Sequence, residues 1–295
     1  MGITPPRLEG TVRVRGGRKL GIAEFGPPGG QAVVWFHGTP GARRQIPEEA
    51  RRIAAERGLR IVGIDRPGVG LSTTHLYENI YESVPDFEIV ADQLGLERFA
   101  TIGLSGGGPY ALAVAAGLPD RVPAVGVLGG VVPSVGPDAP PGGWVGVARR
   151  FRSVLPYMRH PSGMFLTAFV RIARPLGPQA LQLYARITPP GDREVLLRPD
   201  VSEMFLDDLS DNGGRSMRAF AADGILFTRE WGFEPHEIDA PIWWWHGDAD
   251  NIVPLAHAEW LVPRLRHGTL FVRSQESHLG GLGIAGEVLD RITAW

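Results

Sequence analysis

The sequence predicts an α/β protein: a mostly parallel central sheet flanked by helices, with a helical insertion. Three observations carry this. Short β-type runs alternate with helical stretches from Thr11 to Leu128, the order that builds a parallel sheet covered on both faces. Several of those runs, such as Ala32 to Phe36, are continuously apolar, as strands buried on both faces must be. From about Ser134 to about Glu237 the strand signal vanishes, and it returns after Pro241.

The elements follow in order. Thr11 to Arg15 and Leu20 to Phe25 read as two strands joined at Gly16-Gly17, forming an antiparallel edge. Ala32 to Phe36 is a strand ending at His37-Gly38. Pro47 to Arg57 reads as a helix stopped by Gly58. Arg60 to Ile64 is a strand ending at Asp65, and a helical stretch interrupted near Pro85 leads to Leu94-Gly95. Phe99 to Leu104 is a strand, Gly107 to Gly117 an Ala-rich helix and Val122 to Leu128 a strand. In the inserted stretch, Phe165, Phe169 and Ile172 fall at helical spacing after a Pro- and Gly-rich run at 136–146. The last part reads strand Ile242 to Trp245, helix Leu255 to Leu265, strand Thr269 to Val272 and helix Ile284 to Trp295. The expected organisation is a core of residues 1–133 and 238–295, carrying a helical cap over 134–237.

Composition bounds the function. The chain has 295 residues with 43% apolar and 21% charged, the balance of a soluble globular protein. A formal net charge of −2 lacks the clustered basic excess of a nucleic-acid partner. There is no cysteine, so thiol nucleophiles, thiolate metal sites and disulfides are ruled out. The start, MGITPPRLEG, lacks the apolar core of a signal peptide, and Pro and Gly break the longest apolar stretch, near Val122 to Val135. The expectation is a cytoplasmic protein without a membrane or nucleic-acid partner, acting on a small molecule.

The strongest chemical signal is Gly103-Leu104-Ser105-Gly106-Gly107, set between a strand and a helix. A nucleophilic serine needs that context: a sharp, strained turn exposes its oxygen at the top of the sheet, and glycines remove side chains that would collide with strand and helix. Without the context, the same pentapeptide is a glycine-rich turn with an incidental serine. A serine hydroxyl needs a base. Among eight histidines, His278 follows the last strand, in Ser277-His278-Leu279-Gly280-Gly281, on a loop that can reach over the sheet. The bland alternative is a surface loop histidine. The base needs an orienting carboxylate. His246-Gly247-Asp248-Ala249-Asp250 offers two: Asp250, deeper in the loop, is the expected acid, and Asp248 the expected turn cap. Finally, His37-Gly38-Thr39-Pro40-Gly41 follows a strand. An oxyanion needs converging backbone N–H groups. The amides of Gly106 and Thr39 are the candidates, since Pro40 has no N–H. A plain Pro-Gly turn would also explain this segment.

Other chemistries fit less well. His37 and His246 both end strands, but there is no HExxH pattern, so no metal is expected. The Gly103–Gly108 run is no dinucleotide fingerprint, because Ser105 sits in its middle and no suitable acid follows the next strand. No cofactor is expected. Trp243-Trp244-Trp245 reads as a buried strand rather than a stacking platform.

By these residues the chain resembles the α/β-hydrolase superfamily, of the type with a helical cap. HGTPG at 37, DRPGVGLS at 65, GLSGG at 103 and HGDADNIVP with its later histidine carry the resemblance, in the family's order. It implies Ser105 as nucleophile, Asp250 as acid, His278 as base, and Thr39 with Gly106 as the oxyanion hole. Asp65 and Arg66 match a loop that shapes the sheet's top edge, and are left outside the site. Where the family has glycine before the histidine, this chain has Ser277.

The resemblance implies an ester-type serine hydrolase. A proline iminopeptidase-like aminopeptidase and a C–C bond hydrolase use the same triad, and a non-hydrolytic ligand receptor uses the same fold. Apolar residues of the insertion, Trp144, Phe151, Tyr157, Phe165, Phe169, Met204, Phe205, Met217, Phe220 and Phe227, are candidate pocket liners or helix-packing residues. Its charges, including Asp207 and Asp208, read as a solvated face.

Overall fold

A computed structural model describes residues 2–135, 138–155, 157, 161, 163–165, 167–168, 172, 174–208 and 219–295. Eight strands, β1 (Leu8–Arg13), β2 (Lys19–Phe25), β3 (Gln31–Phe36), β4 (Leu59–Ile64), β5 (Phe99–Leu104), β6 (Val125–Leu128), β7 (Ile242–Gly247) and β8 (Gly268–Arg273), form one sheet in the order β1-β2-β4-β3-β5-β6-β7-β8. β1 is antiparallel to β2 and β2 to β4; every other pair is parallel. The α/β reading is what the chain adopts.

The strand order places the chemistry. From β3 the chain steps to β4 on one side, then crosses back to β5 on the other. The reversal opens a crevice between the carboxyl ends of β3 and β5, where open α/β sheets bind ligands. Phe36 is paired with Gly103 there, so the segments after β3 and β5 emerge side by side.

Alternation along the buried strands divides the core between the two faces. Val34 and Phe36 pack with α2 (Val84–Gln93) and α3 (Gly108–Gly117), through Phe87 and Tyr110. Val33 and Trp35 face the other way, with Ile53 of α1 (Glu48–Arg57) and Leu289 of the helix Ala285–Ile292. The three tryptophans of β7 follow the same rule: Trp244 packs on the first face, Trp243 and Trp245 on the second. Fully burying such a side chain contributes about 2–3 kcal/mol.

Differences from the sequence reading fall at element ends and have local causes. β1 begins at Leu8 and ends at Arg13, because Gly16 and Gly17 adopt φ of 63° and 73° and turn the chain through a short 3-10 segment. Pro85 does not interrupt α2 but sits in its first turn, where a missing N–H costs nothing. β6 starts at Val125, since Pro123 cannot join a ladder. The helix from Leu255 is α-helical only to Leu261 and tightens to 3-10 at Val262–Arg264, around Pro263.

Between β6 and β7 the described elements are helices: Gly143–Arg150, Gly177–Ile187, Pro190–Leu197, Pro199–Asp208 and Ala219–Phe227, with a 3-10 turn at Arg174–Leu176. Three of them carry proline in the first turn, at Pro178, Pro190 and Pro199, so each break is also a preset start. This segment joins the main core. Val201 and Met204 pack on one face of the sheet, and Leu226 and Phe227 on the other. Among the described residues no helix is long and apolar enough to cross a membrane.

Gly107 shows how tightly the turn after β5 is built. A Cβ there would be driven into the carbonyl oxygen of Phe36 and sit 2.7 Å from that of His37. Both are backbone and cannot swing aside. Gly107→Ala should therefore lose about 3 kcal/mol of unfolding free energy. Gly29→Ala, which meets nothing within 4 Å, should change it by less than about 0.5 kcal/mol. Urea melts of both variants check this.

Candidate active site

Ser105 directly follows β5 and opens a 3-10 turn, Ser105–Gly107, that runs into α3. Its φ of +50° is one of only two positive values at non-glycine positions among the described residues. An L-residue held there stores about 1–3 kcal/mol of strain, which persists only when the surroundings over-determine it. They do so by crowding. A Cβ on Gly103 would meet the Cα of Gly108 at 2.5 Å, and one on Gly106 would hit the Thr39 hydroxyl and lie 2.9 Å from the Phe227 ring. Glycine at these positions lets strand, helix and neighbouring loop close around the serine.

His278 comes from the loop after β8. Its Nε2 lies 2.8 Å from Ser105 Oγ and its Nδ1 lies 2.7 Å from Asp250 Oδ2. All three residues are buried. The carboxylate can only accept, so Nδ1 carries the ring proton and Nε2 presents its lone pair to the serine hydroxyl. Asp250 sits in the loop after β7, where its Oδ1 accepts from the backbone N–H groups of Ile252 and Val253 at 2.8 and 2.9 Å. Burial pushes its pKa up, but hydrogen bonds from His246, His278 and the backbone more than offset this and hold the carboxyl well below the usual range. Of the two aspartates considered for this loop, Asp250 meets the imidazole. Asp248 is exposed, and its carboxylate accepts from the N–H of Gln275 at 2.8 Å.

His246 braces the same loop. Its Nδ1 accepts from the indole N–H of Trp244 at 3.1 Å, so its proton lies on Nε2, which donates to the Val253 carbonyl at 2.7 Å. His37 braces the loop after β3. The Arg66 amide donates to its Nε2 at 3.2 Å, and its Nδ1 lies 2.7 Å from the Gly38 carbonyl. Burial, then the nearby Arg66 charge, push the His37 pKa well down and keep the ring neutral. Both nitrogens of each ring are committed to internal partners, and among the described residues no three His, Asp or Glu side chains are grouped as a metal site.

The Thr39 hydroxyl is held by two partners. Its hydroxyl donates to Asp223 Oδ2 at 2.7 Å and accepts from Arg66 Nη2 at 2.6 Å. Arg66 also donates to Asp223 at 2.7 Å, to the Gly38 carbonyl at 3.0 Å and to the His37 carbonyl. Tyr110 completes the cluster, donating its hydroxyl to Asp223 Oδ1 at 3.1 Å. Burial and the adjacent carboxylate keep that phenol protonated. Among the described residues no acceptor takes the N–H of Thr39 or of Gly106.

The sequence reading set Arg66 aside and did not single out Asp223. Arg66 instead clamps the Thr39 loop. Asp223 did leave a trace, as the one charged residue of the apolar stretch AFAADGILF. Asp223→Leu would strand the buried Arg66 guanidinium, since a broken buried pair costs about 3–5 kcal/mol. A chemical denaturation midpoint should fall accordingly, whereas Asp223→Asn should lose less because the amide oxygen still accepts.

The candidate liners separate. Phe227 is buried with its ring over Gly106, and Met204 is fully buried in the core instead of facing a pocket. Phe205 packs partly buried against the same core, while Phe151, Tyr157 and Phe165 are exposed. Phe169 and Met217, and the side chains of Trp144 and Phe220, lie outside the described residues. Asp208 is no solvated charge. It is buried and accepts from the N–H groups of Ala42 and Arg44, while Asp207 pairs with Arg44 and Arg51.

Comparison with known proteins adds to this geometry. A family model for the alpha/beta hydrolase fold matches residues 31–159, a span that includes Ser105 and stops short of Asp250 and His278. The sequence is 35% identical to a proline iminopeptidase of Xanthomonas citri over 38% of this chain and 36% of that one. It is 33% identical to a proline iminopeptidase of Arabidopsis thaliana over 40% of this chain and 31% of that one. The chain thus spans about a third of the length of the curated relatives it matches. An esterase from Exiguobacterium antarcticum shares the fold at a TM-score of 0.70 and 18% identity, over 100% of both chains. A bromoperoxidase from Bacillus anthracis does so at 0.70 and 18%, over 97% of this chain and 99% of that one.

Proposed function

The chain belongs to the α/β-hydrolase superfamily, and on that premise we propose that it is a serine hydrolase cleaving a carboxylic ester or related acyl bond of a small substrate. The observation that carries the reading is the unbroken relay from Ser105 Oγ through both nitrogens of His278 to Asp250, at 2.8 and 2.7 Å.

In this reading Ser105 Oγ attacks the substrate carbonyl and passes its proton to His278 Nε2. The imidazolium is stabilised by Asp250, whose carboxyl stays ionised. The amides of Gly106 and Thr39 take the developing oxyanion, a pair of donors aimed where charge appears only in the transition state. His278 then protonates the leaving group, an acyl-enzyme remains on Ser105, and water activated by the same imidazole releases the acid. Residues 134–237 act as the cap. The support is that Asp223 of this segment bonds Thr39 and that Ser134 Oγ donates to the Phe227 carbonyl, tying its two ends together.

The likeness to proline iminopeptidases favours a second reading, release of an N-terminal residue. That reaction needs a carboxylate free to bind the substrate ammonium. Asp192 and Asp223, both near the site, already accept internal donors, which favours acyl substrates without a free amine. Comparing short p-nitrophenyl esters with prolyl-naphthylamide tests this. Higher kcat/KM on the esters is expected. Preference for the prolyl amide gives the second reading, C–C bond cleavage needs its own substrate panel, and tight binding without any turnover points to a ligand receptor.

A further inference from the structure

The loop that carries His278 is gripped by a residue of the helical segment. Asp192 lies in the first turn of the helix Pro190–Leu197 and is 1% exposed. Its Oδ1 accepts from the backbone N–H of Leu279 at 2.6 Å, and the side chain of Ser277 lies beside the same carboxylate. These are the residues on either side of His278. Ser277 is itself buried, and its hydroxyl donates to the carbonyl of Ala249, next to Asp250, at 3.3 Å. The helix end is seated closely. A Cβ on Gly191 would lie 2.7 Å from the carbonyl oxygen of Gln275 and 3.1 Å from the amide nitrogen of Ser277.

From this we infer that Asp192 is a positioning residue: by bonding the amide that follows His278 and packing beside the residue that precedes it, Asp192 fixes where the imidazole stands between Ser105 and Asp250. The inference rests on the serine-hydrolase reading. It also gives Ser277 a purpose. A glycine at that position would leave this side of the loop untied, whereas serine donates to the Ala249 carbonyl and sets a polar group beside Asp192. The ring has little tolerance. It holds two hydrogen bonds of 2.7–2.8 Å, one on each nitrogen, and a shift in any direction spoils at least one of them; a displacement of about 1 Å can cost about 100-fold in rate. His278 makes both of those bonds with its ring, so its placement depends on the backbone at 277 and 279. Asp192 is a fixed acceptor for that backbone. A buried carboxylate bonded to a backbone N–H contributes order as well as stability. The helical segment would thereby complete the reactive centre as well as cover it.

The test compares Asp192→Ala, Asp192→Asn and Ser277→Ala in the full-length protein. Asp192→Ala should lower kcat by about 10- to 100-fold with little change in KM. Asp192→Asn, which keeps an oxygen for the Leu279 N–H, should recover most of it. Ser277→Ala should fall in between. The downfield proton resonance of the His278–Asp250 hydrogen bond should shift or broaden in Asp192→Ala, which a merely structural loss of stability in a still-folded protein would not cause. This resonance needs no substrate. If the parent protein hydrolyses nothing, the functional reading fails while the positioning of His278 is still read directly. Should Asp192→Ala not fold, Ser277→Ala and Asp192→Asn carry the test by the same two readouts. Unchanged kcat and an unchanged resonance in the folded variants would overturn the inference.

Discussion

Ser105→Ala should lower turnover on any substrate of this protein by about 10⁵-fold. The variant should melt as the parent does, because alanine carries the same Cβ as serine and bears the same positive φ. The size follows from what is lost. Among the described residues no other hydroxyl bonds His278 Nε2, so the remaining rate comes from substrate binding and from donors to the oxyanion. Stopped or end-point assays at high enzyme concentration measure it, with active protein quantified by thermal melting. Near-parental activity would mean that another group performs the attack.

Asp250→Asn should cost about 10⁴-fold in kcat, and here the structure fixes the reason. Two backbone N–H groups point at Oδ1, so the asparagine must keep its oxygen there. Its NH₂ then occupies the place of Oδ2, facing His278 Nδ1. A donor at that position forces Nδ1 to accept and moves the ring proton to Nε2, toward Ser105. The base then holds a proton where it should take one. The geometry is preserved and the tautomer is wrong, so stability should change little while activity collapses. Asp248→Asn on the exposed turn should leave kcat at the parental level. If the two variants behave alike, Asp250 does not orient the base.

What was legible in the sequence was local. β5, the glycines and the helix behind Ser105 lie within one stretch of chain, and crowding at Gly103 and Gly107 leaves its mark directly as residue type. The strands were legible because buried parallel strands are apolar throughout. The hidden parts depend on bonds between distant segments. Asp192 meets Leu279 across 87 positions, Asp223 meets Arg66 across 157 and Thr39 across 184. Asp192, bonded to a remote backbone amide, needs no periodicity and no particular neighbour, so nothing in the surrounding sequence marks it, and Asp223 shows only as a lone charge in an apolar stretch without its partners. Arg66 was visible but assigned only to the sheet's edge, since its reach to the carbonyls of His37 and Gly38 is a matter of three-dimensional proximity. Asp207 and Asp208 looked like surface charge for the same reason, their partners Arg44, Arg51 and the amide of Ala42 lying far upstream.

The most direct test is treatment of the native protein with a fluorophosphonate probe, followed by proteolysis and mass spectrometry. The account predicts a single covalent adduct on Ser105, formed more slowly in His278→Ala and absent in Ser105→Ala. A folded protein that stays unlabelled, or one that labels equally well with alanine at position 105, would contradict it.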